Sequence, residues 1–415
     1  MLAAIATTPT TRADAAEPAA VLSTYADIAH AGYSDALATA KTLSKAVDAL
    51  IAAPSEATLK AAREAWIAAR VPYQQTEAFR FGNAIVDDWE GKVNAWPLDE
   101  GLIDYVAGAY GNDSPENELY AANVIANTSI KIGGETVDAS KITPELLSDK
   151  LQEAGGVEAN VATGYHAVEF LLWGQDLNGT DAGAGQRPAT DFDTKACTGG
   201  NCARRAEYLK AATDLLLQDL GVMVGEWAGK GAAREAVTKA GGDKGLAAIF
   251  TGLGSLSYGE LAGERMKLGL LLNDPEEEHD CFSDNTHNSH FYDVVGIRNV
   301  YLGTYKRVDG SEVKGPSVSD LVKAKSPETD AAVRKALDAT LATMTTLKTR
   351  AETVERYDQM IGQGNTEGNA VVQAAIDALV AQAKEFERAM AVLGIGGVTF
   401  EGSDSLDNPG TVSKG

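Results

Sequence analysis

The sequence predicts a mainly α protein with two helical-bundle-like domains and a small β-hairpin insertion. Three observations predict it. Apolar residues recur at helical spacing over long stretches, Pro and Gly breaks separate these stretches, and only residues 128–140 read as paired strands. With 415 residues, 44% of them hydrophobic, the chain can bury a large core and is long enough for two domains.

Composition narrows the function. Asp and Glu number 59 against 36 Lys and Arg, a formal charge of −23, and no basic block occurs. This argues against nucleic acid as a partner. An acidic field favours cations, although acidity also serves solubility alone. No run is long and apolar enough for a transmembrane segment.

Residues 1–16 read as the remnant of a secretory signal peptide: a short apolar piece, Met1 to Ala6, then Ala13-Asp14-Ala15 as an A-x-A cleavage site. A disordered N-terminus is the alternative. Cys197 and Cys202 bracket Thr-Gly-Gly-Asn, a spacing that can close a small disulfide loop in an oxidising compartment; Cys281 is left over. Together these features place the protein in the periplasm or cell envelope.

The N-terminal helical domain is expected over 17–180. Its first helix spans about 18–53, ended by Pro54-Ser55, and its second runs from Glu56 to Phe81. That second helix carries Trp66, Arg70, Tyr73, Glu77 and Arg80 at spacings of 4, 3, 4 and 3, which puts all five on one face. An aromatic and charged stripe suggests a wet interior cleft; the alternative is a surface ladder of ion pairs. Residues 82–117 show few helical signals, with Asp99 placed to cap a short helix after Trp96-Pro97-Leu98. A hairpin follows at 128–140, then a short helix opening at Thr143-Pro144-Glu145.

The run Gly164-Tyr165-His166-Ala167-Val168-Glu169-Phe170-Leu171-Leu172-Trp173-Gly174 sets an ionisable pair inside an apolar helix. Three residues apart, His166 and Glu169 share one face, with Cβ atoms about 5–6 Å apart. A buried carboxylate is costly unless paired, hydrogen-bonded or metal-bound. Two readings stand: a shared ion, or a satisfied core histidine beside a glutamate.

The Gly-, Asp- and Thr-rich stretch 181–201 reads as a linker loop, and 202–395 as a C-terminal helical domain. A long helix is expected from Cys202 to about Gly229 and another over 244–273, in which Gly252, Ser255, Gly259 and Gly263 form a row of small residues that invites a second helix to approach; Glu260, Glu264 and Arg265 flank it. Residues 274–290 read as a polar, solvated loop, although they hold three of the five histidines and could bind metal. Helices over 328–360 and 367–393 close the domain, and the tail 396–415 is expected to be mobile.

Five of these segments, in this order, closely resemble imelysin-like proteins of the iron-regulated protein A type: Trp66 to Arg80, Trp96-Pro97-Leu98-Asp99, Gly164-x-His166-x-x-Glu169, Gly259-Glu260-Leu261-Ala262-Gly263-Glu264-Arg265-Met266, and Phe282 to Thr286 running on to Gly296-Ile297-x-Asn299-Val300-Tyr301. The resemblance implies two helical domains arising by duplication, export, and a Gly-x-His-x-x-Glu site near the domain interface. It also implies a link to iron regulation and uptake, with envelope iron-transport components as partners. His166 and Glu169 carry over as metal ligands. Glu77 and Asp99 lie in matching segments as further candidate ligands. Trp66, Arg70, Tyr73, Arg80, Glu260, Glu264 and Arg265 would orient them. One imidazole with carboxylates suits iron, with zinc or another divalent ion as alternatives, although an arginine beside a cation site leaves open a metal chelate as ligand. The family also carries a peptidase label, yet the chain has no His-Glu-x-x-His. The expectation is therefore a metal-binding protein of iron homeostasis, set against a metallopeptidase and against a non-catalytic envelope interaction module.

Overall fold

The computed structural model describes residues 16–412, so the signal-like segment expected at 1–16 lies outside the described residues apart from Ala16. Helix α1 (Pro18–Ala52) opens on a proline, tolerated where the amide would have no helical partner, and buries a stripe from Leu22 through Tyr25, Leu43 and Val47 to Leu50. Helix α2 (Glu56–Gln74) starts in a capping box between Ser55 and Thr58. It does not reach Phe81. Pro72 lies in its last turn, and the Thr76 amide and hydroxyl both donate to Tyr73 O, at 2.7 and 2.6 Å, tightening the chain into a 3-10 turn over Glu77–Phe79. Glu77 and Arg80 therefore do not continue the α-helical stripe of Trp66, Arg70 and Tyr73.

Residues 82–117 hold α3 (Ala84–Glu90) and α4 (Glu100–Ile103). The hairpin is β1 (Ser129–Ile132) antiparallel to β2 (Glu135–Asp138), with Ile130 opposite Val137. After α5 (Pro144–Leu146), α6 (Gly164–Trp173) packs against α2 and against α7 (Cys202–Trp227), which also lies along α1. The stretch between α6 and α7 is tied down. Arg187 and Arg205 both pair with Asp104, Arg187 also with Asp191, at 2.6–3.0 Å, and Cys197 is disulfide-bonded to Cys202.

Beyond α8 (Ala232–Thr238), one helical rod runs through α9 (Gly242–Ser255), a widened π-helical stretch (Leu256–Lys267) and α10 (Leu268–Leu272). Helix α11 (Thr286–Leu302) leads into a second hairpin that the sequence did not reveal, β3 (Thr304–Lys306) with β4 (Glu312–Lys314). Its turn is Arg307–Gly310, closed by the Gly310 amide donating to Arg307 O at 3.0 Å, and Asp35 of α1 holds it by accepting from Tyr305, Arg307 and the Val308 amide. Helices α12 (Val318–Lys325), α13 (Pro327–Thr353), α14 (Tyr357–Ile361) and α15 (Thr366–Leu393) follow, so the single helix expected over 328–360 breaks after Thr353. Helix α15 packs on α13 and on the π-helical stretch.

The row of small residues does not admit another helix. Gly252 backs onto Ala78 O, while Gly254, Gly259 and Gly263 back onto Phe400, Glu401 O and Ser403 of the chain's own tail; a Cβ at any of these four glycines would come within 2.1–2.5 Å of a neighbour. The tail expected to be mobile is held there. The Glu401 amide donates to Ser255 Oγ at 3.0 Å, and Ser405 Oγ, in the short α16 (Asp404–Asp407), donates to Gly263 O at 3.0 Å.

Helix α11 packs on both α2 and α13, which carries the segment before it into the interior. The solvated loop expected at 274–290 is consequently buried in large part: Glu278, His279, Asp280, Thr286 and His290 are each 1% exposed or less. Among the described residues no helix is long and apolar enough to cross a membrane.

Candidate metal centre

The first turn of α6 is fixed by a glycine. Gly164 has φ +77°, and a Cβ there would lie 2.5 Å from Val93 O, which also accepts from the Tyr165 amide at 2.7 Å. One turn on, His166 Nδ1 lies 3.0 Å from Glu169 Oε2, and Glu169 Oε1 accepts from the Ser283 amide at 3.0 Å and the Ser283 hydroxyl at 2.6 Å. In the tautomer whose Nδ1–H donates to Glu169, Nε2 presents a lone pair. That atom is buried and has no hydrogen-bond partner.

Beside it stand His279 and Asp280. The rings of His166 and His279 meet edge to face, centroids 4.8 Å apart. Trp96 holds the loop in place, its indole N–H donating to Glu278 O at 2.8 Å and its ring packing on His279. Arg70 contacts Asp280 Oδ1 at 2.8 Å and Asn94 Oδ1 at 2.5 Å, and faces His279 Nδ1 at 3.3 Å. Trp66, Tyr73 and Tyr165 surround its guanidinium with aromatic faces at 5.1–5.6 Å, an arrangement that stabilises a buried cation. Asp280 Oδ2 accepts from Ser289 at 2.5 Å and Asn285 at 2.9 Å. His166, His279 and Asp280 offer ligand atoms all within 4.8 Å of one another, and all three are buried.

Burial governs the charges here. It drives His166 down to about 3, with Arg70 adding to the effect, and it holds His279 far below the usual imidazole range, with Arg265 adding. Burial also pushes Glu169 well above the carboxylate range, and Asp280 reinforces this. At Asp280 itself burial pushes upward, but the Arg70 guanidinium outweighs it and the carboxyl is held below its ordinary value. The site thus presents two neutral imidazoles and one firm carboxylate, a donor set that suits iron(II), zinc and similar ions.

The other residues singled out in the sequence fall elsewhere. Glu77 belongs to a second buried assembly around Arg265, which contacts Glu77 at 2.7 Å, Glu260 at 2.6 Å and Asp293 at 3.3 Å. Glu260 and Arg265 are five residues apart, one turn of the π-helical stretch, so they stack; an α-helical register would have paired Glu260 with Glu264, which stays half-buried. Arg80 reaches Asp87, Glu90 and Glu260 at 2.8–3.6 Å. Gln74 lies between the two assemblies, and with its amide turned so that the oxygen faces Arg70, that oxygen accepts from Arg70 at 2.5 Å and the nitrogen donates to Asp293 at 3.0 Å. Asp99 is half-buried, accepts from Asn117 at 2.6 Å and is not among the clustered ligand atoms. The expected ligands Glu77 and Asp99 are therefore not brought to His166, because the helix ends at Gln74 and because Asp99 is taken by Asn117. The groups that lie beside His166 are His279 and Asp280. The available signal was the crowding of histidines and carboxylates over 274–290.

Comparison with known proteins fits this architecture. Residues 29–386 match the family model described as imelysin. Iron-regulated protein A of Synechococcus elongatus is 40% identical over 67 residues, which covers 16% of this chain and only 19% of that relative's length. Two crystal structures share the fold. An iron-regulated protein A precursor from Parabacteroides distasonis has a TM-score of 0.64 at 19% identity, over 90% of this chain and 94% of that one. An imelysin-like protein from Psychrobacter arcticus has a TM-score of 0.60 at 17% identity, over 93% and 99%. Because the family model spans most of the sequence, the chain belongs to the imelysin family.

Proposed function

We propose that this protein is an exported metal-binding protein of iron uptake or homeostasis, and that the ion is held by His166 Nε2, His279 and Asp280. The observation that carries the reading is the orphaned His166 Nε2, buried beside the ligand atoms of His279 and Asp280. A buried nitrogen without a partner costs about 1–3 kcal/mol, which a bound ion would remove. Glu169 acts as the positioning residue: by accepting from Nδ1–H it fixes the tautomer and turns Nε2 toward the ion. Asp280 already accepts three hydrogen bonds, from Arg70, Ser289 and Asn285. A carboxylate has about four lone-pair directions, so one remains.

Iron is the preferred ion because the Synechococcus and Parabacteroides relatives are named as iron-regulated. Export is supported by the Cys197–Cys202 disulfide, which suits an oxidising compartment, and by the word precursor in the name of the Parabacteroides protein. The peptidase designation favours a second reading, but a peptide bond must reach an open coordination position. His166, Glu169, His279 and Asp280 are each 1% exposed or less, which suits an ion better than a polypeptide. Anaerobic calorimetric titration with ferrous, ferric and zinc ions, run beside a peptide-library digestion, separates the two readings. Ferrous binding without cleavage is expected; metal-dependent cleavage lost in His166→Ala would replace this proposal with the peptidase.

A further inference from the structure

A second group of carboxylates lies outside the centre just described. Asp176 follows α6, Asp284 precedes α11 and Asp358 sits in α14, yet their carboxylate oxygens lie within 4.8 Å of one another. Asp284 is 5% exposed and Asp358 1%. Both oxygens of Asp358 and Oδ1 of Asp284 are buried without a hydrogen-bond partner. Glu278, equally buried, lines the same small cavity as Asp176 and leaves Oε1 unpartnered. The arrangement differs from an ordinary acidic patch, in which water satisfies the oxygens. Burial pushes Asp358 up to about 7, with Asp284 adding, and pushes Asp284 up to about 7, with Asp176 adding against the opposing pull of Arg356.

Asp176, Asp284 and Asp358 come from three separate parts of the chain; Asp358 has both oxygens unsatisfied, Asp284 one, and Glu278 beside them one, while Asp176 Oδ1 accepts from Asn178, and a positive charge among them would satisfy the rest. Lacking nitrogen and sulfur donors, the group matches the preference of hard cations for oxygen. We infer that Asp176, Asp284 and Asp358, with Glu278 beside them, form a second cation site that takes a hard divalent ion of the calcium type. It is built from a different set of ligands than the His166 centre. One loop serves both, Glu278 and Asp284 facing this site while His279, Asp280 and Ser283 serve the other.

The test uses the full-length protein stripped of metal and equilibrium dialysis against radioactive calcium, for the wild type, Asp358→Asn, Asp284→Asn and His166→Ala. The expected result is one calcium per chain with a dissociation constant on the order of 1 mM or tighter. Either Asn variant should weaken it at least about tenfold, while His166→Ala leaves it unchanged. Absence of saturable uptake by the wild type, or uptake unaffected in both Asn variants, overturns the inference. Loss in His166→Ala would show that the two sites are one. Should an Asn variant not fold, terbium luminescence of the wild type, excited through Tyr357 beside Asp358 and displaced by calcium, reads the same site; silence there overturns the inference as well.

Discussion

Arg70 and Arg265 are both 1% exposed and both pair with buried carboxyl groups, yet the two guanidiniums are satisfied differently. Around Arg265, the guanidinium spends its donors on Glu77, Glu260 and Asp293. Around Arg70, one carboxylate, Asp280, and the amide oxygen of Asn94 answer the guanidinium, aromatic faces surround it, and the neighbouring His166 keeps a buried nitrogen with nothing to bond. Buried charge alone therefore does not mark a ligand site. What marks it is a buried atom with an unsatisfied lone pair, because a self-contained ion-pair network can be purely structural.

This contrast can be broken by mutation. The largest effect is expected on stability at the closed assembly: Arg265→Leu strands Glu77 and Asp293 and should cost about 3–5 kcal/mol in urea unfolding. Next, His166→Ala and His279→Ala should each weaken ferrous-ion binding by at least about 100-fold by calorimetry while the helical circular dichroism is retained. Glu77→Gln, on the Arg265 side, should leave that affinity within about threefold. If Glu77→Gln proves as damaging to binding as His166→Ala, the two assemblies are not distinct in the way described.

Two smaller effects sharpen the picture. Glu169→Gln keeps the shape but weakens the acceptor for His166 Nδ1, and should reduce affinity about tenfold without changing stoichiometry. The last concerns acid. His166 is held at about 3 in the fold against an ordinary value of 6.5. The unfolded chain therefore takes up a proton between these values that the folded chain refuses, and stability is lost as pH falls through that window. In metal-free protein, His166→Gln should make the slope of stability against pH between 6 and 4 shallower, by up to about 1.4 kcal/mol per pH unit. Identical slopes for variant and wild type would mean that His166 is not held neutral by burial.

Much of the architecture was legible in the sequence, and the failures have physical causes. Helical periodicity and the Pro and Gly breaks gave α1, α6, α7, the rod from α9 to α10 and α15 to within a few residues, because long amphipathic stripes report directly on burial. The end of α2 was misjudged since the Thr76 hydroxyl and amide capture Tyr73 O, a local competition that periodicity does not register. The row of Gly252, Ser255, Gly259 and Gly263 announced a close approach but not what approaches, for Glu401 and Ser403 are remote in sequence. At the candidate centre, His166 and Glu169 could be picked out because a charged pair in an apolar helix stands out. His279 and Asp280 could not, since a polar segment is indistinguishable from a solvated loop until the packing of α11 on α2 and α13 shows that it is buried.

The most direct measurement is a crystal of the full-length protein loaded anaerobically with ferrous ion, with anomalous diffraction collected on both sides of the iron absorption edge. The account predicts a single strong iron peak about 2 Å from His166 Nε2, with His279 and Asp280 completing the coordination and Glu169 bonded to Nδ1 rather than to the metal. An iron peak among Glu77, Glu260 and Asp293, or none within reach of His166, would contradict it.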